Sequence, residues 1–228
     1  MLKTRVIPIL LMDGEGCVKT KQFRRPPRKI GSMMQHVLNM QERDVDELII
    51  IDIDATYDRR EPNYSKIEKY AKELFCPLTI GGGISSLEHI KNLLNAGADK
   101  VCIKSAAEDN QFVETACQKF GKQCIVQAID VPAGWNITKG MAVGEILLTA
   151  IPFEGMMKGY YLPLIKQFSE ISNIPIIANG GCGSPNDMLE AIRVGASAVA
   201  AGSMFLYTDY TPKDCSEYLN ARGIPCRI

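Results

Sequence analysis

Two glycine runs stand where apolar stretches end: Gly81-Gly82-Gly83 after PLTI, and Gly180-Gly181-Cys182-Gly183 after IPIIAN. Glycine lets the backbone approach a phosphate and aim N–H groups at it, and a following helix N-terminus adds a favourable dipole. Ser105 and the pair Gly202-Ser203 end neighbouring apolar stretches, and each adds a hydroxyl and an amide. The pattern predicts two phosphate cradles and a small ligand phosphorylated at both ends. Carboxylates end other stretches, Asp52 and Asp54 in IIIDID and Asp130 in QAID. A carboxylate in such a place can act as general acid or base. Asp130 is expected to do so, whereas one of Asp52 and Asp54 is expected to bond a neighbouring loop.

Charge is also patterned at the other ends of the stretches. Arg5, Glu47, Lys100 and Glu145 begin four of them with alternating sign, and could form a ring where a small molecule enters. Residues 19–29, KTKQFRRPPRK, hold six basic side chains. They read equally as a solvated surface loop or as a mobile lid that neutralises a polyanion, kept extended by its prolines.

The elements that must position these groups are eight short β-branched runs: 5–11, 47–54, 77–82, 100–105, 124–130, 145–151, 174–180 and 197–203. They are nearly uniformly apolar, as strands buried on both faces of a parallel sheet must be. Helical stretches lie between them, with Ser184-Pro185 as an N-cap and first-turn proline and with Gly97 and Gly195 at C-terminal positions. A shift of 98 residues superimposes Glu47 on Glu145, Gly82-Gly83 on Gly180-Gly181, Gly97 on Gly195 and Ser105 on Ser203. Eight strands in two repeated halves predict one α/β domain over 1–228, a (β/α)8 barrel built from two (βα)4 units. Active sites of such barrels lie at the strand C-termini, where the glycines and carboxylates fall. Leu11 and Asp130, the ends of strands one and five, are 119 residues apart, so the second half is 21 residues short after Asp130. Either helix five is truncated there or a loop is absent from the chain.

Composition narrows the partners. With 228 residues, 46% hydrophobic, 23% charged and zero net charge, the chain reads as a globular cytoplasmic protein that binds neither nucleic acid nor membrane. The 8 cysteines contain no CxxC and several lie in strand-like runs, which predicts reduced core thiols. The two histidines, His36 and His89, are far apart, so no metal site is expected, and no motif calls for a cofactor.

MLKTRVIP, DELIIIDIDA, TIGGGI, GADKVCI, AID, GEILLT and IPIIANGG, taken in order over nearly the whole chain, resemble the HisF family, the cyclase subunit of imidazole glycerol phosphate synthase. The resemblance implies that Arg5, Glu47, Lys100 and Glu145 gate an ammonia tunnel, and that Asp99 and Gln123 face a docked HisH-like glutaminase. It also implies phosphate or substrate contacts from Lys19, Gly82, Gly83, Ser105, Gly181, Gly202 and Ser203. The family's catalytic pair is an Asp ending strand one and an Asp ending strand five. Asp130 supplies the second, but the first aligns to Leu11, and Asp13 reaches that place only by a two-residue slip. After strand four Lys104-Ser105 replaces Asn-Thr. After strand six Pro152-Phe153-Glu154-Gly155-Met156 replaces Asp-Arg-Asp-Gly-Thr, which leaves Glu154 and Gly155 at substrate-site positions. Loss of the ring-closing acid resembles the HisF-like branch that works with an ATP-dependent amidotransferase to amidinate a sugar nucleotide. The alternative is the histidine-pathway synthase, with Asp13 as the stand-in acid.

Overall fold

A computed structural model describes residues 3–14, 16–43, 45–132 and 143–227. Strand β1 (Arg5–Met12) leads into an antiparallel ribbon of β2 (Gly16–Lys19) and β3 (Arg28–Ser32), then helix α1 (Met33–Glu42). The chain continues through β4 (Leu48–Asp52), α2 (Tyr64–Glu73), β5 (Leu78–Gly81), α3 (Leu87–Asn95), β6 (Lys100–Ile103), α4 (Asn110–Phe120) and β7 (Ile125–Val131). It ends with β8 (Glu145–Ala150), α5 (Leu162–Ile171), β9 (Ile176–Asn179), α6 (Pro185–Arg193), β10 (Ala198–Ala201), α7 (Ser203–Tyr207) and α8 (Pro212–Asn220). Strands β1 and β4 to β10 pair in parallel in sequence order, and β10 returns to pair with β1. The eight apolar runs are these eight strands, and the sheet closes into the expected (β/α)8 barrel.

Alternation along each strand divides the core into two parts. Ile7 and Ile9 of β1, Ile49, Cys102, Val126, Leu147, Ile177, Ala198 and Ala200 pack together inside the barrel. The intervening residues, such as Val6, Leu10, Ile50 and Leu148, pack outward against the helices. The two halves also match in detail. Ser86 and Ser184, 98 residues apart, cap α3 and α6 by accepting from the amides of His89 and Asp187. Gly97 (φ 101°) and Gly195 (φ 117°) follow those helices in the left-handed region. The amides of Leu48 and Ile146 donate to the carbonyls of Pro77 and Pro175, each at 2.9 Å.

The basic segment is partly strand, while 20–27 form the connecting loop, with Lys21 and Phe23 to Pro26 exposed as a solvated surface loop would be. It begins and ends in strands, with Lys19 opposite Arg28, and β2 returns along β1 with Val18 opposite Leu11. The reason is local: Cys17 and Val18 are buried, so the ribbon adds to the sheet instead of floating in solvent. The shortfall after Asp130 concerns 133–142, which lie outside the described residues, as do both explanations offered for it. None of the 8 cysteines is in a disulfide, and burial is the main cause that pushes Cys102 up to about 12.

Candidate active site

Strand alternation decides which side chains reach the barrel axis. On β1 the inward positions are Arg5, Ile7, Ile9 and Leu11; on β6 they include Lys100 and Cys102, and Lys104 follows in step. The inward positions therefore run from charge at the floor, through an apolar interior, to polar groups at the mouth.

At the floor the four strand-start charges close into one network. Arg5 Nη1 donates to Glu47 Oε2 at 2.5 Å, and Arg5 Nη2 pairs with Glu145. Lys100 Nζ donates to both Glu47 oxygens at 3.1 Å and to Glu145 Oε2 at 2.7 Å. Thr79 Oγ1 adds a donor to Glu47 Oε1 at 2.9 Å. Burial works against charge on Glu145, but the hydrogen bonds and charge of Arg5, then of Lys100, outweigh it and hold the carboxyl below its ordinary range. Burial likewise opposes charge on Arg5, and its two glutamates reverse that. Asp99 is exposed beside this face, exchanging hydrogen bonds with the backbone of Leu78, its Oδ2 accepting at 2.8 Å. Gln123 is exposed in the turn before β7.

At the mouth a cavity of about 920 Å³ reaches down to Cys102, Leu147 and Ala200 in the barrel interior. Both glycine turns border it. Gly82 (φ 102°) and Gly181 (φ 110°) hold left-handed backbone, and a Cβ there would lie 2.1 Å from the Asp52 carbonyl oxygen and 2.2 Å from that of Gly159. No other residue fits either position without moving main chain. Gly83, Ser105, Gly202 and Ser203 line the same cavity, so the two proposed cradles share one opening. They are not identical: Ser105 is exposed, Ser203 is buried, and the Gly83 amide donates to Thr56 Oγ1 at 3.2 Å.

The mouth carboxylates sit in different surroundings. Asp130, inward on β7, pairs with Lys104 Nζ at 2.6 Å. Asp52 has the outward parity on β4. It accepts two hydrogen bonds from Arg60, at 2.6 and 2.7 Å, and one each from the amides of Asp54 and Ala55. The Asp52 hydrogen bond is the largest cause raising the Arg60 pKa. Asp54 pairs with Arg25 at 2.6 Å. Leu11 lines the cavity, whereas Asp13 stands in the β1–β2 turn, its Oδ1 accepting from the Gly16 amide at 3.0 Å and its other oxygen 3.7 Å from Lys29. The slip from 11 to 13 preserves parity, but the chain has turned into the ribbon before it can aim Asp13 inward. Glu154 is buried and faces the segment after β2. It accepts from Lys19 Nζ at 2.7 Å, Thr20 Oγ1 at 3.0 Å and the Phe23 amide at 3.2 Å. Gly155 (φ 72°) permits that contact, since a Cβ would meet the Thr20 carbonyl oxygen at 2.6 Å.

Three side chains at these sites escaped the sequence reading as partners: Thr79, Arg60 and Lys104. Lys104 carried a signal, since it is two residues beyond Cys102 and shares its parity. Thr79 and Arg60 carried none beyond residue type. Among the described residues, no group of three or more His, Cys, Asp and Glu side chains could hold a metal, and no helix is long and apolar enough to cross a membrane.

A family profile described as "Histidine biosynthesis protein" matches residues 5–211. Over the full length of both chains, this protein is 43% identical to a Campylobacter jejuni protein provisionally named imidazole glycerol phosphate synthase subunit hisF2. It is 37% identical to imidazole glycerol phosphate synthase subunit HisF of Dehalococcoides mccartyi, covering all of this chain and 99% of that one. The first alignment spans 249 positions for 228 residues, so at least 21 have no counterpart here, the same number by which the second half is short. With its eight-stranded barrel, its repeated halves and these matches along its length, the chain belongs to the histidine biosynthesis protein family, among its HisF-type subunits.

Proposed function

We propose that this chain is the synthase-side subunit of an imidazole glycerol phosphate synthase-type complex. It takes ammonia from a HisH-like glutaminase at the barrel floor and delivers it to a bisphosphorylated ligand in the mouth. The observation that carries this reading is the closed ring of Arg5, Glu47, Lys100 and Glu145 beneath an apolar interior that opens into the mouth cavity. Neutral ammonia crosses an apolar passage that excludes ions, because desolvating a charge there costs far more. Gly82, Gly83 and Ser105 would hold one phosphate; Gly181, Gly202, Ser203 and Lys19 would hold the other. Asp130 would handle protons, while Asp52 acts through Arg60 to set the loop after β4. Glu154 and Gly155 would hold the segment bearing Lys19 over the ligand. Asp99 and Gln123 would meet the glutaminase.

A second reading is favoured by Leu11, an alkyl side chain in the cavity wall facing the part of the mouth that Asp130 serves. In that reading the same ammonia goes, through an ATP-dependent amidotransferase partner, to amidination of a sugar nucleotide. One assay decides between them: turnover of the histidine-pathway bisphosphate substrate by the purified subunit with saturating ammonium. Rates normal for the family establish the first reading, whereas absent turnover with retained glutaminase binding supports the second. Failure to bind any HisH-like glutaminase would defeat both.

A further inference from the structure

The 98-residue repeat that relates the two cradles maps Lys104 onto Gly202. Gly202 has no side chain, and the space where one would begin is approached by a lysine from elsewhere: Lys19 Nζ lies 3.9 Å from the position of a Gly202 Cβ. Each cradle therefore has a lysine at the strand end that carries its serine, Lys19 reaching Gly202 at the second and Lys104 preceding Ser105 at the first. Each ammonium is held by one carboxylate, Lys19 by Glu154 at 2.7 Å and Lys104 by Asp130 at 2.6 Å. The pairs differ in freedom. Lys19 is 12% exposed and locked under the loop contacts of Glu154, whereas Lys104 is 60% exposed on a flexible four-carbon stem.

Resting on the phosphate reading above, we propose that Lys104 is the specificity-determining residue of the first cradle, binding the ligand's phosphate there in exchange for, or together with, Asp130. An ammonium has three donors, so it can serve both anions, and a phosphate dianion attracts it more strongly than a carboxylate does. The Lys104 side chain adjoins Ser105, and Gly82, Gly83, Lys104, Ser105 and Asp130 line one cavity. Phe23, in the segment after β2, has its ring centroid 5.9 Å from Lys104 Nζ. Phosphate binding at this cradle is thereby coupled to the carboxylate placed for proton transfer. A ligand without an anionic group at that end leaves Asp130 engaged.

The test is calorimetric titration of inorganic phosphate into the wild-type subunit and into Lys104→Gln, Asp130→Asn and the double variant. Two sites are expected. Lys104→Gln should weaken one about tenfold and leave the other unchanged, while Asp130→Asn should tighten that same site several-fold. In the double variant the tightening should vanish, because Asp130 acts through Lys104. If Asp130→Asn tightened binding equally with Gln at 104, its effect would be general charge and the proposal would be wrong. Two phosphates bound with no response to either variant would overturn it while leaving the phosphate reading intact. No phosphate bound by the wild type would overturn both.

Discussion

Arg60 and Asp52 form a two-point pair, with guanidinium nitrogens 2.6 and 2.7 Å from the two carboxylate oxygens, directly behind the Gly82-Gly83 turn. The Arg60 carbonyl oxygen would lie 2.7 Å from a Cβ at Gly83, so this pair holds the loop after β4 against the first cradle. Charge-assisted pairs of this geometry are strong because both hydrogen bonds are fixed together. In a double-mutant cycle with Asp52→Ala and Arg60→Ala, the coupling energy is expected to be about 1–2 kcal/mol, discounted for the partial exposure of Arg60. A coupling near zero in urea denaturation would show that the pair is incidental.

Removing one member of the floor ring should be costly. Glu47 is 1% exposed and is approached by Arg5, Lys100 and Thr79. Glu47→Gln leaves those cations short of a counter-charge, and a loss of about 2–4 kcal/mol is expected, readable as a lowered Tm.

Glu145 sets a pH window for the same ring. Its folded pKa is depressed, so its contribution to stability is present above the ordinary carboxylate value of about 4.3 and is lost as pH falls through the folded value. The Tm difference between wild type and Glu145→Gln should therefore stay constant from about pH 7 to pH 5 and shrink below about pH 4. A difference that grows with acid would contradict the assignment.

Gly181→Ala should abolish the second cradle. A methyl group there meets the Gly159 carbonyl oxygen at 2.2 Å on left-handed backbone, so the turn must move. One of two bound phosphates should be lost, with a fall in stability of about 1–3 kcal/mol. Retention of both phosphates would place the second site elsewhere.

Leu11→Asp restores a carboxyl on the inward face of β1. If proton transfer limits ring closure, turnover of the histidine-pathway substrate with ammonium should rise at least tenfold, within the range of about 10²–10⁴ that a positioned acid or base supplies. Asp13→Asn should leave turnover unchanged, because Asp13 closes the β1–β2 turn. A large loss in Asp13→Asn would reverse these roles.

Asp99→Arg should weaken glutaminase binding at least tenfold by reversing charge on the floor face. Asp99→Asn retains an acceptor for the Leu78 amide and separates docking from folding. Equal binding by wild type and Asp99→Arg, measured by surface plasmon resonance, would remove Asp99 from the interface.

The barrel and the level of each group along it were legible in the sequence, because both depend on local chemistry. Uniformly apolar runs must be strands covered on two faces, a repeat of 98 residues must be two similar halves, and glycine pairs at strand ends must be turns. Strand starts and strand ends then place Glu47 at the floor and Asp130 at the mouth without any knowledge of contacts. Tertiary structure decided who pairs with whom. Lys104 reaches Asp130, Arg60 encloses Asp52 and Lys19 is captured by Glu154 through contacts between groups 8 to 135 residues apart. Residue type carries no record of such partners. The β2–β3 ribbon was hidden for the same reason: a four-residue strand has too little pattern of its own, and its backbone hydrogen-bonding groups find partners only when β1 and β3 come to lie on either side of it. That ribbon turns Asp13 away from the mouth and leaves Leu11 facing it.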